Sequence, residues 1–185
     1  MRGNTIVTMG IATVALAVLG GVAISAQDKY TLKVPGGLAF SEFRGYETWE
    51  VISVSHNGEA LAVIVGNPAM IDAFKAGIPD NGKPLPDGAK MAKIHWGAKT
   101  AESLPGQPFV PGPQHDVDLM VKDSKRFADS GGWGYAVFVY DAASDTFRPG
   151  DTTATPPQEN DAKCGFACHT IVKARDYVFT YYQHK

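Results

Sequence analysis

The run Asp116-Val117-Asp118-Leu119-Met120-Val121 alternates polar and apolar side chains along most of its length. Only an extended strand, whose successive side chains point to opposite faces, turns a period of two into one apolar and one polar side. Val117, Leu119 and Val121 make the apolar side, with Asp116, Asp118 and Met120 opposite. Ala89 to Trp96 behaves the same way. Met91, Lys93 and His95 share one face, and Lys90, Ala92, Ile94 and Trp96 share the other.

Other segments read as strands from their density of β-branched and aromatic residues: Tyr46 to Val54, Ala60 to Val65, Trp133 to Tyr140 and Tyr177 to Tyr182. Tyr30 to Val34 reads as a short strand or an entry arm, broken by Pro35-Gly36-Gly37. His56-Asn57-Gly58-Glu59 is a hairpin signal, because Asn-Gly tolerates the positive φ of a tight turn, and it leaves His56 exposed. Asn67 and Pro68 start a helix that Gly77 ends, with Met70, Ile71 and Phe74 facing the core. Asp123 to Ala128 suggests a second short helix, capped by Asp123 or Ser124. Twenty glycines and twelve prolines break the rest into loops over 78–88, 104–113 and 141–160. The expected class is mostly β, or α+β: an antiparallel sheet with a few short helices.

The length of 185 residues, 44% hydrophobic and 19% charged, fits one ordinary globular domain. A net charge of −2 without a like-charged run gives no electrostatic reason to expect nucleic acid as a partner. The N-terminus carries Arg2, an apolar run from Ile6 to Ile24 and small residues at Ala23-Ile24-Ser25-Ala26. Residues 1–26 therefore read as a signal peptide for export to the periplasm, with an uncleaved anchor as the alternative. Residues 27–185 form the expected domain.

Lys163-Cys164-Gly165-Phe166-Ala167-Cys168-His169 holds both cysteines of the chain, and a histidine directly follows the second. Two thiols and an adjacent imidazole suit covalent haem c: the thiols bond the vinyl groups and His169 ligates the iron. The spacing of three residues departs from the usual two, so the extra residue is expected to bulge from the turn. Three other readings stand beside it: a Cys164–Cys168 disulfide, a zinc site short of one ligand, and two buried structural thiols. Trp49, Trp96 and Trp133 read as core aromatics, some of them walling the haem. Met91, Met120, His95 and His115 are candidates for a sixth iron ligand.

Four segments together give the chain a recognisable pattern. They are Gly45-Tyr46-Glu47-Thr48-Trp49; Pro86-Asp87-Gly88-Ala89-Lys90-Met91-Ala92-Lys93; Val121-Lys122-Asp123-Ser124-Lys125-Arg126-Phe127 followed by Gly132-Trp133; and Cys164 to His169 followed by Asp176-Tyr177-Val178-Phe179-Thr180. In this order they resemble the cytochrome P-460 family, which includes the cytochromes c′-beta. The resemblance implies a mostly antiparallel β fold, a homodimer and a single c-type haem with His169 as ligand and an open sixth site. In the catalytic members it also implies a lysine bonded to the haem ring, which the Asp-Gly turn places at Lys93, and it implies a distal carboxylate, here Asp118. Catalytic members carry a glutamate there, one methylene longer.

The resemblance and the residues together raise three functions as expectations. The first is oxidation of hydroxylamine with nitric oxide chemistry, using Asp118 as proton acceptor, Lys93 as a haem tether and a partner cytochrome as electron acceptor. The second is non-catalytic binding of nitric oxide or carbon monoxide. The third is electron transfer, which needs a sixth protein ligand. The disulfide reading would leave an exported binding module without haem.

Overall fold

The structure, a computed structural model, describes residues 27–34, 37–150 and 163–182, with Lys163 and Cys164 described by backbone alone. The proposed signal peptide, the Pro35-Gly36 break and most of the loop before Cys164 lie outside these residues. Among the described residues no helix is long and apolar enough to cross a membrane.

Six strands form one antiparallel sheet in simple chain order: β1 Glu50–Asn57, β2 Ala60–Gly66, β3 Lys90–Thr100, β4 Phe109–Lys122, β5 Trp133–Asp141 and β6 Thr146–Pro149. The expected mostly-β class is the one the chain adopts. Gly58, at φ +58°, turns β1 into β2. The helix α1 spans Pro68–Lys75, and the Asn67 side chain accepts a hydrogen bond from the Met70 amide as its cap. Gly77 comes next at φ +77°. Helix α2 spans Lys163–His169 and continues into a 3-10 segment, Thr170–Arg175.

Several boundaries differ from the sequence expectation. Tyr46–Thr48 is a 3-10 turn, because Gly45 takes φ +83° and its carbonyl accepts from both the amide and the hydroxyl of Thr48. The strand begins only at Glu50. The entry arm is likewise a 3-10 turn, Lys29–Thr31, with a lone bridge between Lys33 and Ala39 after it. Strand β4 starts well before Asp116 and runs through Pro111 and Pro113. Here it pairs only with β3, since β5 begins its pairing at Asp116. The outward side is a free edge, where a proline's missing N–H leaves no ladder bond unmade. Asp123 does cap, accepting from the amides of Lys125 and Arg126, but it opens a turn and a 3-10 segment at Ala128–Ser130, not a full helix.

The largest correction is Tyr177 to Tyr182, which is extended but pairs with no strand among the described residues. Asp176 and Tyr177 sit at φ +49° and +64°, so the chain swings away from the sheet's ladder. The Arg175 guanidinium donates to the carbonyls of Val178, Phe179 and Thr180 at 2.7, 3.2 and 3.4 Å. It satisfies oxygens that a neighbouring strand would otherwise have to bind.

One face of the sheet carries Val117, Leu119, Ala136 and Phe138, all buried, and packs against Leu38, Phe40 and Phe43 of the N-terminal arm. Phe40 lies 4.6 Å from Phe138 and 5.2 Å from Phe147, ring centre to ring centre. The C-terminal segment packs on the other face and is fastened there by a nearly sealed ion pair. Lys122 Nζ lies 2.7 Å from Asp176 Oδ1 and 3.0 Å from the Gly131 carbonyl. Asp176 also accepts from the Leu85 amide at 2.8 Å. Both side chains are nearly sealed from solvent, at 6% and 10% exposure.

Removing one member of such a pair strands the other charge, at a cost of about 3–5 kcal/mol. Asp176→Ala should therefore lower the urea unfolding free energy by about that amount with little change in the slope m. A loss under about 1 kcal/mol would mean the pair contributes no more than an exposed one.

Candidate haem site

The register builds the site. Strands β3 and β4 place Met91 opposite Met120, Lys93 opposite Asp118 and His95 opposite Asp116. Directly paired residues project to the same face, so these six share one side of the sheet. Helix α2 and the 176–180 segment cover part of that side. Between them lies a cavity of about 150 Å³ lined by Lys93, Asp118, Tyr135, His169 and Phe179, with Ile64, Met91 and Met120 among its apolar walls. The structure thus brings His169, Lys93 and Asp118 around one space, although they come from three separate elements. His115 is exposed on β4 and does not line the cavity.

His169 is held on several sides. Its Nδ1 donates to the Tyr177 carbonyl at 2.6 Å, and its ring meets Tyr135 and Phe179 at centre distances of 4.9 Å each. With the proton on Nδ1, Nε2 is left with its lone pair, which is the state a metal ligand needs. Burial pushes the imidazole's pKa below its ordinary value, and Lys93 adds to the effect. The ring is therefore neutral at pH 7.

Asp118 faces the cavity, which is why 43% of its side-chain surface stays open. Loss of water around it pushes its carboxyl up to about 6, opposed by His95, reinforced by Asp116 and opposed again by Lys93. Burial drives the Tyr135 phenol far above its usual pKa, with Asp176 and Tyr177 adding to the shift. Its hydroxyl has no hydrogen-bond partner among the described residues. Lys93 Nζ likewise makes no hydrogen bond or ion pair among them.

Helix α2 is continuous through the Cys-His segment. The extra residue does not bulge out; the four-residue offset puts positions 164 and 168 on one helix face. The Cys164 side chain lies outside the described residues, and Cys168 is an exposed free thiol. Gly165 is what allows the helix to sit down on the sheet, for a Cβ there would fall 2.3 Å from the Tyr135 ring.

The donor set fits a haem. A neutral imidazole with Nε2 free, two cysteines at one-face spacing and an apolar wall are the groups a covalently held haem needs. The cavity is smaller than a macrocycle, but Phe179 and Ile171, 46% and 81% exposed near His169, leave apolar surface beside it. Sequence reasoning passed over Tyr177, Tyr135 and Phe179. The first acts through its carbonyl, which no residue type announces. None of the three tryptophans lines the cavity; Trp133 is buried, while Trp49 and Trp96 are half-buried.

Gly165→Ala should weaken docking of α2 by about 1–3 kcal/mol, the usual cost of overpacking. Thermal unfolding and haem content per chain would both fall. Unchanged values for both would show that the helix has room to shift.

The four sequence segments that carried the resemblance meet in space. Asp87 accepts from the Ser124 amide and hydroxyl at 2.8 and 2.7 Å, Gly88 donates to the Lys122 carbonyl, and Lys122 pairs with Asp176. The first segment joins through its neighbour Glu42, which pairs with Arg126 at 2.9 Å. No curated relative matches the chain. The family Cytochrome P460 matches residues 43–180, from before the first strand to the end of the cavity wall. The chain belongs to the cytochrome P460 family of haem proteins.

Proposed function

We propose that this chain is an exported haem c protein that oxidises hydroxylamine. The observation that carries the reading is the cross-strand pair Lys93–Asp118, an amine and a carboxyl on the wall of the cavity that also receives His169. Cys164 and Cys168 would hold the haem by thioether bonds, His169 Nε2 would ligate the iron, and the Lys93 amine would bond the ring edge. Bound there, the haem supplies a binding point for the substrate nitrogen and a path for its electrons. Asp118 takes protons from the substrate's N–H and O–H groups, which requires its ionised form. The apolar walls from Ile64, Met91 and Met120 keep bulk water from competing. The electrons pass to a partner cytochrome, and the protein works in the periplasm as a homodimer.

A second reading is favoured by the same walls. Met91, Met120 and Phe179 suit a neutral diatomic gas, so a haem without the lysine bond would bind nitric oxide or carbon monoxide non-catalytically. Mass spectrometry of the proteolytic haem peptide separates the two. The hydroxylamine reading expects one peptide containing Cys164 and Cys168 joined through haem to the peptide containing Lys93. A haem peptide lacking Lys93, from fully haem-loaded protein, would sink it.

Asp118 also sets a pH dependence. Its folded pKa is raised to about 6, so the base form is scarce below that pH and dominant above it. Hydroxylamine turnover should climb as pH rises through about 6 and level off beyond. In Asp118→Asn the climb should vanish, and kcat should drop by about 100-fold, a usual share for a proton-transfer group. A profile flat in the wild-type protein across this range would remove Asp118 from the base role.

A further inference from the structure

The sheet face turned to the cavity is apolar on its flanks. Ala62 and Ile64 on β2 lie beside His95 and Lys93, and Val139 and Val137 on β5 lie beside Asp116 and Asp118. Between these flanks stands an island of four ionisable side chains: Lys93 and His95 on β3, Asp118 and Asp116 on β4. Across the cavity the titratable groups are His169 of α2 and Tyr135 of β5. With the Lys93 amine tied to the haem ring, the island is left with one imidazole between two carboxyls. Apolar surroundings disfavour the uncompensated charge, so the island favours one additional proton.

The geometry says where that proton can sit. His95 Nδ1 is in direct hydrogen-bond contact with Asp116 Oδ1 and 3.7 Å from Asp118 Oδ2. Asp118 opens to the cavity, His95 is 18% exposed and Asp116 31% exposed. The three groups cluster on one sheet face, with Asp118 at the cavity and Asp116 two residues further toward the outer part of β4. At 3.7 Å the gap exceeds hydrogen-bond length, so the proton passes only when the Asp118 carboxyl turns toward His95.

We propose that His95, anchored by Asp116, is the positioning and relay residue that carries away the proton Asp118 takes from the substrate. This rests on the hydroxylamine reading for the source of the proton. The transfer balances without a further reagent. The relay starts from the imidazolium form of His95: its Nδ1–H bond breaks as Asp116 Oδ1–H forms, leaving a neutral ring with its proton on Nε2. The freed Nδ1 lone pair then takes the proton from Asp118, breaking its O–H bond and returning Asp118 to the carboxylate. Asp116 releases its proton to water, and no electrons move along this route.

The test uses the haem-loaded protein and two readouts. Infrared titration of the ferrous carbon monoxide complex follows the carboxylic-acid carbonyl band, assigned to Asp118 by its loss in Asp118→Asn. In wild type this band should titrate near the raised value of about 6. In His95→Gln the midpoint should rise by about one pH unit, because an imidazole that can turn cationic no longer favours the carboxylate. Turnover should fall about tenfold in His95→Gln and in Asp116→Asn, with KM within about twofold, as expected for loss of a proton path and not of binding. An unchanged visible spectrum of the carbon monoxide complex certifies that each variant is folded. A midpoint unmoved in His95→Gln, or turnover unchanged in both variants, overturns the proposal. If wild-type protein does not oxidise hydroxylamine at all, the functional reading fails while the midpoint still decides whether His95 and Asp118 share a proton.

Discussion

The sealed contact between Lys122 and Asp176 is the constraint on which the site depends. Lys122 ends β4, the strand that carries Asp118. Asp176 immediately precedes Tyr177, whose carbonyl fixes the His169 ring. One ion pair between residues 54 positions apart therefore ties the strand that carries Asp118 to the segment that holds His169. A buried pair is poor evidence for stability, since apolar residues of equal volume often do as well. Its directional value is different: an ammonium that also bonds the Gly131 carbonyl and lies 5.1 Å from the Trp133 ring has one geometry to adopt.

That fastening is supported by close approaches of backbone to ring. Gly165 lets α2 lie on Tyr135, and Gly131 leaves room for Tyr177, whose ring would stand 2.3 Å from any Cβ there. Both glycines remove a side chain where an aromatic must pass. The outcome is a histidine gripped by Tyr135, Phe179 and a carbonyl, with one ring nitrogen free. A metal ligand held this way has its tautomer and orientation decided before the metal arrives.

The electrostatics of the cavity come from the strand register. A slip of one residue between β3 and β4 would send Lys93 and His95 to the face filled by Phe40 and Phe138. The bulges at the His95–Ala98 stretch come only after the Lys93–Asp118 and His95–Asp116 pairs, so the irregular part of the ladder leaves the island intact. The raised Asp118 and the lowered His169 both trace to groups placed on one sheet face beneath a partial cover.

Legibility in the residues differed from element to element. Alternation in Ala89–Trp96 and Asp116–Val121 assigned Lys93, His95, Asp116 and Asp118 to their faces correctly, because the period of a strand is a local property of the backbone. Asn67, Pro68 and Gly77 marked α1 for the same reason. Tyr177–Tyr182 has the composition of a strand, yet Arg175 and two left-handed residues took it out of the ladder. Whether a strand pairs depends on a neighbour, and composition carries no neighbour. Pro111 and Pro113 read as loop for the same cause, since only the pairing shows that one edge of β4 is free there. The chain by itself determined the alternating faces, the helix caps and the Cys-His segment, all of which rest on contacts within a few residues. Only the tertiary structure decided that Lys93 and Asp118 stand side by side, that His95 leans on Asp116, and that Asp176 locks to Lys122, because each joins residues far apart in sequence through the register of the sheet.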